Sequence, residues 1–138
     1  MIRTQRHTLR TEGRDQMQDL TPLVEQAITA SACRAGIVTV FVAHATAAVA
    51  ISEFEPGLMH DIHATLDAIA PARPDYRHNT LNHDDNAHSH LRSTVIGPSL
   101  TIPFDDGLLV LGTWQRVVLL DFDTHARSRT VVIQVMGE

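Results

Sequence analysis

The chain has 138 residues and a formal net charge of -5, from 16 acidic and 11 basic residues. This length is enough for one domain with a substantial hydrophobic core, so we expect a single domain over residues 1–138. The negative charge and the lack of a basic cluster argue against nucleic-acid binding. No apolar run reaches 18 residues and the N-terminus lacks the apolar segment of a signal peptide. The sequence therefore predicts a cytoplasmic protein without membrane contact.

Composition excludes several kinds of chemistry. Cys33 is the only cysteine, which excludes an internal disulfide and any all-cysteine metal site. All basic residues are arginines, so Schiff-base chemistry and a phosphate-binding loop lysine are excluded. Nine residues are histidines, and six of them fall between positions 60 and 90. That density indicates imidazole chemistry.

The N-terminal third of the chain predicts strands around one helix. Residues 2–10 are polar and weakly alternating, as in an edge strand, and a short strand follows around Met17. Apolar residues then recur at helical spacing over 22–34. The β-branched run 37–43 predicts a central strand, and small residues up to Ile51 predict a further strand or bulged strand.

The middle of the chain predicts two helices separated by a polar loop. An apolar stripe begins after Glu55 and ends at Pro71, which is the clearest helical pattern in the sequence. Residues 71–84 predict a polar loop, of a length that is usually functional. A shorter helix, capped by Asp84 or Asp85, follows and ends before Gly97.

The C-terminal third predicts four strands, over 99–104, 108–113, 115–122 and 129–136, which we expect to form an antiparallel meander. Strands at both ends with helices between them indicate an α+β fold.

Three features of this pattern carry candidate chemistry. His44 ends a strand predicted to be buried and has small neighbours that leave room for a ligand. Glu53, at the start of the clearest helix, and Asp85, at the start of the shorter one, are candidate carboxylates. His88 and His90 are about 200° apart on a helix, so only one of them can face a given site.

A candidate anion site comes from the C-terminal strands. Gly112–Gln115 places a glycine, a hydroxyl, the only tryptophan and an amide in a strand hairpin, and such a glycine often marks the close approach of a ligand. Arg127 and Arg129 precede the last strand and offer a two-donor fork for phosphate. We expect Thr113, Gln115 and Arg129 to converge on an anion, because the two turns can lie side by side in an antiparallel sheet.

The order of motifs resembles the YjbQ family, often labelled secondary thiamine-phosphate synthase. The resemblance covers nearly the whole chain, and its most specific parts are Gly112–Gln115 and the Asp84–Leu91 segment. Further matching segments are His44–Ala48, Ser52–Glu53, Tyr76–His78 and Gly97–Ser99. Family members usually carry Asn where this chain has Ser52.

The resemblance implies a compact α+β domain with an antiparallel, β-sandwich-like core, two or three helices and a homotrimeric assembly. It also implies a site that gathers His44, His78 and His90. The family varies at the position of His88, which gives the inward-facing role to His90. Because the three histidines come from separate elements, as in catalytic three-ligand sites, we expect them to bind one divalent metal. Glu53 or Asp85 would orient an imidazole or a bound water.

The family activity would join a pyrimidine pyrophosphate to a thiazole phosphate and release pyrophosphate. Zinc suits three imidazoles better than magnesium, which prefers oxygen ligands but would suit a pyrophosphate substrate. This mismatch favours a side activity of an enzyme whose main substrate is a different phosphorylated small molecule. Two alternatives stay open: a metal-dependent hydrolase with Glu53 or Asp85 as general base, and a non-enzymatic trimer that binds a metal or a metabolite.

Overall fold

Two antiparallel sheets face each other in the computed structural model of the chain, which describes residues 1–138. The strands are β1 (Ile2–Thr11), β2 (Gln16–Asp19), β3 (Gly36–Val42), β4 (Ala47–Ser52), β5 (Ser99–Asp105), β6 (Leu108–Leu109), β7 (Arg116–Asp121) and β8 (Arg127–Gly137). The helices are α1 (Thr21–Ser31), α2 (Pro56–Ile69), α3 (Arg77–Asn82) and α4 (Ala87–Ile96). The larger sheet has the strand order β1-β8-β3-β5-β6, and the smaller one has the order β2-β7-β4.

The larger sheet buries one face because its central strands alternate. Val38, Val40 and Val42 of β3 are buried, whereas Ile37 and Phe41 between them are exposed. The register aligns the buried valines of β3 with the buried residues Val135, Ile133 and Val131 of β8. This period of two is what a sheet covered on one side requires.

The smaller sheet is covered on both faces. Val117 and Leu119 of β7 belong to the core between the two sheets, which α1 completes. Val118 and Leu120, on the other face of β7, pack in a second core with Leu66 of α2. The apolar run of β7 therefore has no polar alternation, because neither of its sides meets solvent.

The predicted α+β fold with a sandwich-like core is confirmed, with two corrections. Four helices are present rather than two or three, because α3 lies within the predicted polar loop. The predicted C-terminal meander is wrong: β7 pairs with β2 and β4 in the smaller sheet, and β8 returns to the larger sheet between β1 and β3. None of the four helices has the length and apolar character needed to cross a membrane.

One tight turn brings the β1–β2 connection against the segment between β7 and β8. Gly13 has a φ of +74°, and a Cβ atom at this position would lie 2.5 Å from the carbonyl oxygen of Asp123. The neighbouring Arg14 N–H donates to that same oxygen at 2.8 Å. Only glycine meets both requirements without strain, so this turn fixes the segment that carries Asp123.

Candidate functional site

His44 and His90 line one concave region of the surface. Two cavities of about 350 and 420 Å³ share His44, Ala45 and His90 in their walls. We call these two cavities together the histidine cleft. Its other walls include Ser93 and Thr94 of α4 on one side and Asn86, Asp123, Arg127 and Arg129 on the other.

The backbone of β8 fixes the ring of His44, which follows β3. The Nε2 atom of His44 accepts a hydrogen bond from the Thr130 N–H at 2.9 Å. An accepting Nε2 places the proton of the neutral ring on Nδ1. Burial lowers the pKa of His44 and the Arg129 cation lowers it further, with Asp121 opposing. His44 is therefore a neutral imidazole at pH 7.

His90 lies near the start of α4 and contacts His78 of α3. Their ring centroids are 4.6 Å apart, with the rings tilted by 47°. The buried Asn79 joins the two helices, because its Oδ1 accepts from the Ala87 N–H at 3.0 Å. Burial lowers the pKa of His90 and His78 lowers it further, against the opposing charges of nearby carboxylates. His90 is therefore also neutral at pH 7.

The three predicted metal ligands are neighbours, but they do not form a metal centre in this arrangement. His90 contacts His78 and shares the cleft with His44. The Nε2 of His44 is occupied by the Thr130 N–H, and the rings of His78 and His90 pack against each other. No group of three or more His, Cys, Asp or Glu side chains in the structure is arranged to hold a metal ion. The divalent metal remains a prediction from the sequence.

A buried ion pair forms the floor of the cleft. Arg129 donates to both oxygens of Asp121, through Nε at 2.6 Å and Nη2 at 2.8 Å. The same Nη2 also donates to the Thr46 hydroxyl at 2.8 Å. Burial alone would raise the pKa of Asp121, but hydrogen bonds from Arg129 and Thr11 outweigh it and lower the pKa. Asp121 is therefore ionised, and the guanidinium of Arg129 is occupied by its hydrogen bonds to Asp121 and Thr46.

Arg127 is the arginine that can reach a ligand. Its Nε donates to Asp123 Oδ2 at 3.0 Å, and its side chain is 46% exposed at the mouth of the cleft. That bond leaves the two terminal nitrogens of the guanidinium for an anion. The sequence favoured Arg129 for this role. This prediction is corrected, because the side chain of Arg129 is 3% exposed and its guanidinium binds Asp121 and Thr46.

Two buried polar atoms at the cleft have no hydrogen-bond partner. They are Oδ1 of Asn86 and Oγ of Ser93. The two residues line different halves of the cleft. Leaving a buried polar atom unpaired costs about 1–3 kcal/mol, so each such atom calls for an explanation, and a ligand that pairs with it is one.

The two predicted carboxylates lie away from the cleft. Glu53 is exposed just beyond the end of β4, six residues after the cleft residue Ala47, a separation of about 20 Å along a strand. Asp85 accepts from the Thr124 hydroxyl at 3.0 Å and lines a separate cavity. Neither carboxylate is placed to act as a general base beside His44 and His90.

The predicted convergence of Thr113, Gln115 and Arg129 does not occur within the chain. Gln115 Oε1 accepts from the Gly112 N–H at 2.8 Å, which closes a turn just before β7 begins. Arg129 binds Asp121 at the other end of β7. The six residues of that strand separate the two by roughly 20 Å.

Sequence reasoning missed the polar residues that surround the two histidines. They are Thr46, Asn86, Ser93, Asp121 and Asp123. One signal was available: Asp121 and Asp123 follow directly on the apolar run of β7, and carboxylates at such a place need partners.

Comparisons with known proteins agree with this fold. The family described as UPF0047 protein YjbQ-like matches residues 5–138. A UPF0047 protein of Archaeoglobus fulgidus is 38% identical over 129 residues, which cover 94% of this chain and 98% of the relative. A UPF0047 protein of Methanothermobacter thermautotrophicus is 37% identical over 137 residues, which cover 99% of this chain and 94% of the relative.

Solved structures give the same result. A hypothetical protein from Aeropyrum pernix has a TM-score of 0.91 and 40% identity, covering 99% of both chains. A YbjQ-like protein of unknown function from Sulfolobus solfataricus has a TM-score of 0.89 and 33% identity, covering 100% of both chains. The resemblance inferred from the motifs is thus confirmed, and the chain belongs to the YjbQ-like UPF0047 family.

Proposed function

We propose that the histidine cleft binds a phosphorylated small molecule and that the protein is a small enzyme acting on it. The observation that carries the proposal is the set of groups around the histidine cleft. The free end of Arg127 offers paired donors to phosphate oxygens, and His44 and His90 are neutral imidazoles. The unpartnered atoms of Asn86 and Ser93 would gain hydrogen bonds from such a ligand.

The reaction that the family resemblance suggests is a transfer with pyrophosphate as the leaving group. The bond between the pyrimidine methylene carbon and a pyrophosphate oxygen breaks, and the pyrophosphate keeps the electron pair. The nitrogen of the thiazole phosphate forms the new bond to carbon. Arg127 would stabilise the negative charge on the departing pyrophosphate, which is a transition-state effect.

Hydrolysis of a phosphate ester is the second candidate function. The lowered pKa of His90 favours it, because a neutral imidazole can accept a proton from water and return it to a leaving group. The accepting nitrogen of His44 is already bonded to the Thr130 N–H. In this reading His90 takes the general-base role that the sequence gave to Glu53 or Asp85. Water would replace the thiazole as nucleophile at the same cleft.

The test is an assay of both reactions with the purified protein. A pyrimidine pyrophosphate and a thiazole phosphate are supplied with Mg²⁺, and thiamine phosphate and pyrophosphate are measured together. Phosphate release from simple esters is measured in parallel. Equal yields of thiamine phosphate and pyrophosphate support the transferase, whereas phosphate from esters supports the hydrolase.

The matched variants are Arg127→Gln and Arg116→Gln. We expect the first to weaken pyrophosphate binding about tenfold or more, in line with the loss of one charged two-donor contact of about 1.5–3 kcal/mol. Arg116 pairs with Asp19 at the far end of β7, away from the cleft. The Arg116→Gln variant should therefore bind pyrophosphate with the affinity of the parent protein. Tight pyrophosphate binding without turnover in either assay would show that the protein binds the ligand but is not an enzyme. Equal pyrophosphate affinity in the two variants would show that the ligand does not bind in the histidine cleft.

A further inference from the structure

Another cavity, of about 460 Å³, lies on the other side of α4 from the histidine cleft, and we call it the second cavity because the cleft is treated as one site. His88 and Arg92, one turn apart on α4, line it, whereas His90 and Ser93 face the cleft. Its remaining walls come from α2, the β1–β2 turn and the segment between β7 and β8. Its volume lies in the range of small-molecule pockets.

His88 is the buried group at this cavity that has no internal role. It is only 7% exposed, and its Nδ1 has no hydrogen-bond partner. Burial lowers the pKa of His88 and the Arg92 cation lowers it further, which keeps the ring neutral at pH 7. A neutral imidazole has one nitrogen that accepts a hydrogen bond.

The charge around His88 is mainly negative. Arg92 is buried and binds both oxygens of Asp15 as well as Asp67. This ion-pair cluster carries one more carboxylate than guanidinium, and His63 of α2 contacts both carboxylates. Asp85 adds a carboxylate, of which only one oxygen is occupied, by the Thr124 hydroxyl. Arg14 is the one further arginine in the wall.

We propose that this second cavity binds a small organic cation, an amine whose protonated nitrogen donates hydrogen bonds to His88 and to the carboxylates of Asp67 and Asp85. Asp123 borders both sites, but all their other lining residues differ, so the proposal does not depend on the histidine cleft. An ammonium group supplies both things that the cavity lacks: a hydrogen-bond donor for the neutral imidazole and a positive charge for the carboxylates.

The experiment follows the imidazole signals of His88 and His90 by NMR. Methylammonium and 1,4-diaminobutane are titrated as probes, with inorganic phosphate as the opposing probe. We expect saturable shifts of the His88 signals with millimolar affinity for an amine, and unchanged His90 signals. Shifts at His90 alone, no saturation with either amine, or tighter binding of phosphate at His88 would each overturn the proposal.

Two exposed carboxylates provide matched variants that remove one charge each. Asp85→Asn should weaken amine binding at least threefold, because it removes an acceptor from the cavity. Asp75→Asn removes a carboxylate that pairs with Arg73 outside the cavity, and its affinity should equal that of the parent. Equal affinities in both variants would show that the amine binds through general surface charge, which would overturn the site.

Discussion

Arg129 shows how one buried residue joins the elements that carry the cleft. It lies on β8 of the larger sheet, and its partner Asp121 ends β7 of the smaller sheet. Their side chains are 3% and 1% exposed. Thr11, from the end of β1, donates to the same carboxylate. Two charges buried this deeply are tolerated only because each satisfies the other.

Replacing Arg129 by methionine should therefore be strongly destabilising. Removing one partner of a buried pair leaves an uncompensated charge and costs about 3–5 kcal/mol. Arg116→Met removes an arginine whose side chain is 38% exposed, and we expect a loss of about 1 kcal/mol or less. Urea unfolding at pH 7 measures both, and similar losses in the two variants would contradict the role given to Arg129.

The sequence identified the histidines of the site better than its charged residues. His44 could be proposed because it ends a strand and has small neighbours. Helix geometry showed only that one of His88 and His90 can face a given site, and the family resemblance favoured His90. Arg129 was predicted to bind phosphate because a buried arginine and a free one look alike in a sequence. The free end of Arg127 became visible only once Asp121 and Asp123 had been placed beside the two arginines.

At the level of elements, α4 provides two serines in different environments. Ser89 is fully buried, and its hydroxyl donates to the carbonyl oxygen of Phe122. Ser93 is 6% exposed, and its hydroxyl has no partner. The helix therefore uses one hydroxyl to attach itself to the β7–β8 segment and leaves the other at the cleft.

Alanine substitutions should separate these two roles. Ser89→Ala leaves a buried carbonyl with one partner fewer, and we expect a loss of about 1–3 kcal/mol in the free energy of unfolding. Ser93→Ala breaks no hydrogen bond, so its stability should change by about 0.5 kcal/mol or less, while pyrophosphate binding weakens. Urea unfolding measures the stabilities and calorimetric titration measures the pyrophosphate affinity. Unchanged affinity in Ser93→Ala would show that Ser93 does not contact the ligand.

The elements with a clear period were predicted, and those decided by tertiary contacts were not. The β-branched run of β3 and the apolar stripe of α2 both gave the correct element. Helix α3 has only six residues and no apolar stripe, so its sequence reads as a loop. The transfer of β7 to the smaller sheet was missed, although its unbroken apolar run is typical of a strand covered on both faces.

At the level of the whole molecule, one row of residues on the outer face of the larger sheet is uncharged. The register aligns Ile2, Met136, Ile37 and Pro103 across four strands. Ile2, Ile37 and Met136 are 54%, 42% and 45% exposed, and Phe41 on the same face is 40% exposed. We propose that this face packs against other copies of the chain in the homotrimer that the family resemblance implies.

Light scattering should then give the mass of three chains for the parent. Ile37→Asp places a charge in the centre of the proposed contact and should shift the mass toward that of one chain. Ile69→Asp, at an exposed position on α2, is the control and should leave the assembly intact. A parent that is monomeric at micromolar concentration, or an intact Ile37→Asp trimer, would contradict this interface.

The stability of the whole molecule should fall on mild acidification. Burial lowers the pKa values of His44, His88 and His90, so near pH 6 the unfolded chain, whose histidines titrate at about 6.5, binds more protons than the folded one. Stability is then complete above about pH 7.5 and falls as the pH drops through 6.5 toward the folded pKa values. The lowered pKa values of Asp121 and Asp123 act only below about pH 4, because their unfolded carboxyls titrate there, so they do not contribute in this window.

Urea midpoints at pH 7.5, 6.5 and 5.5 measure the effect, and His88→Gln should reduce the slope of stability against pH because it removes one of the three groups. A midpoint that is constant or rises toward pH 5.5 would mean that these imidazoles are not held neutral by the fold.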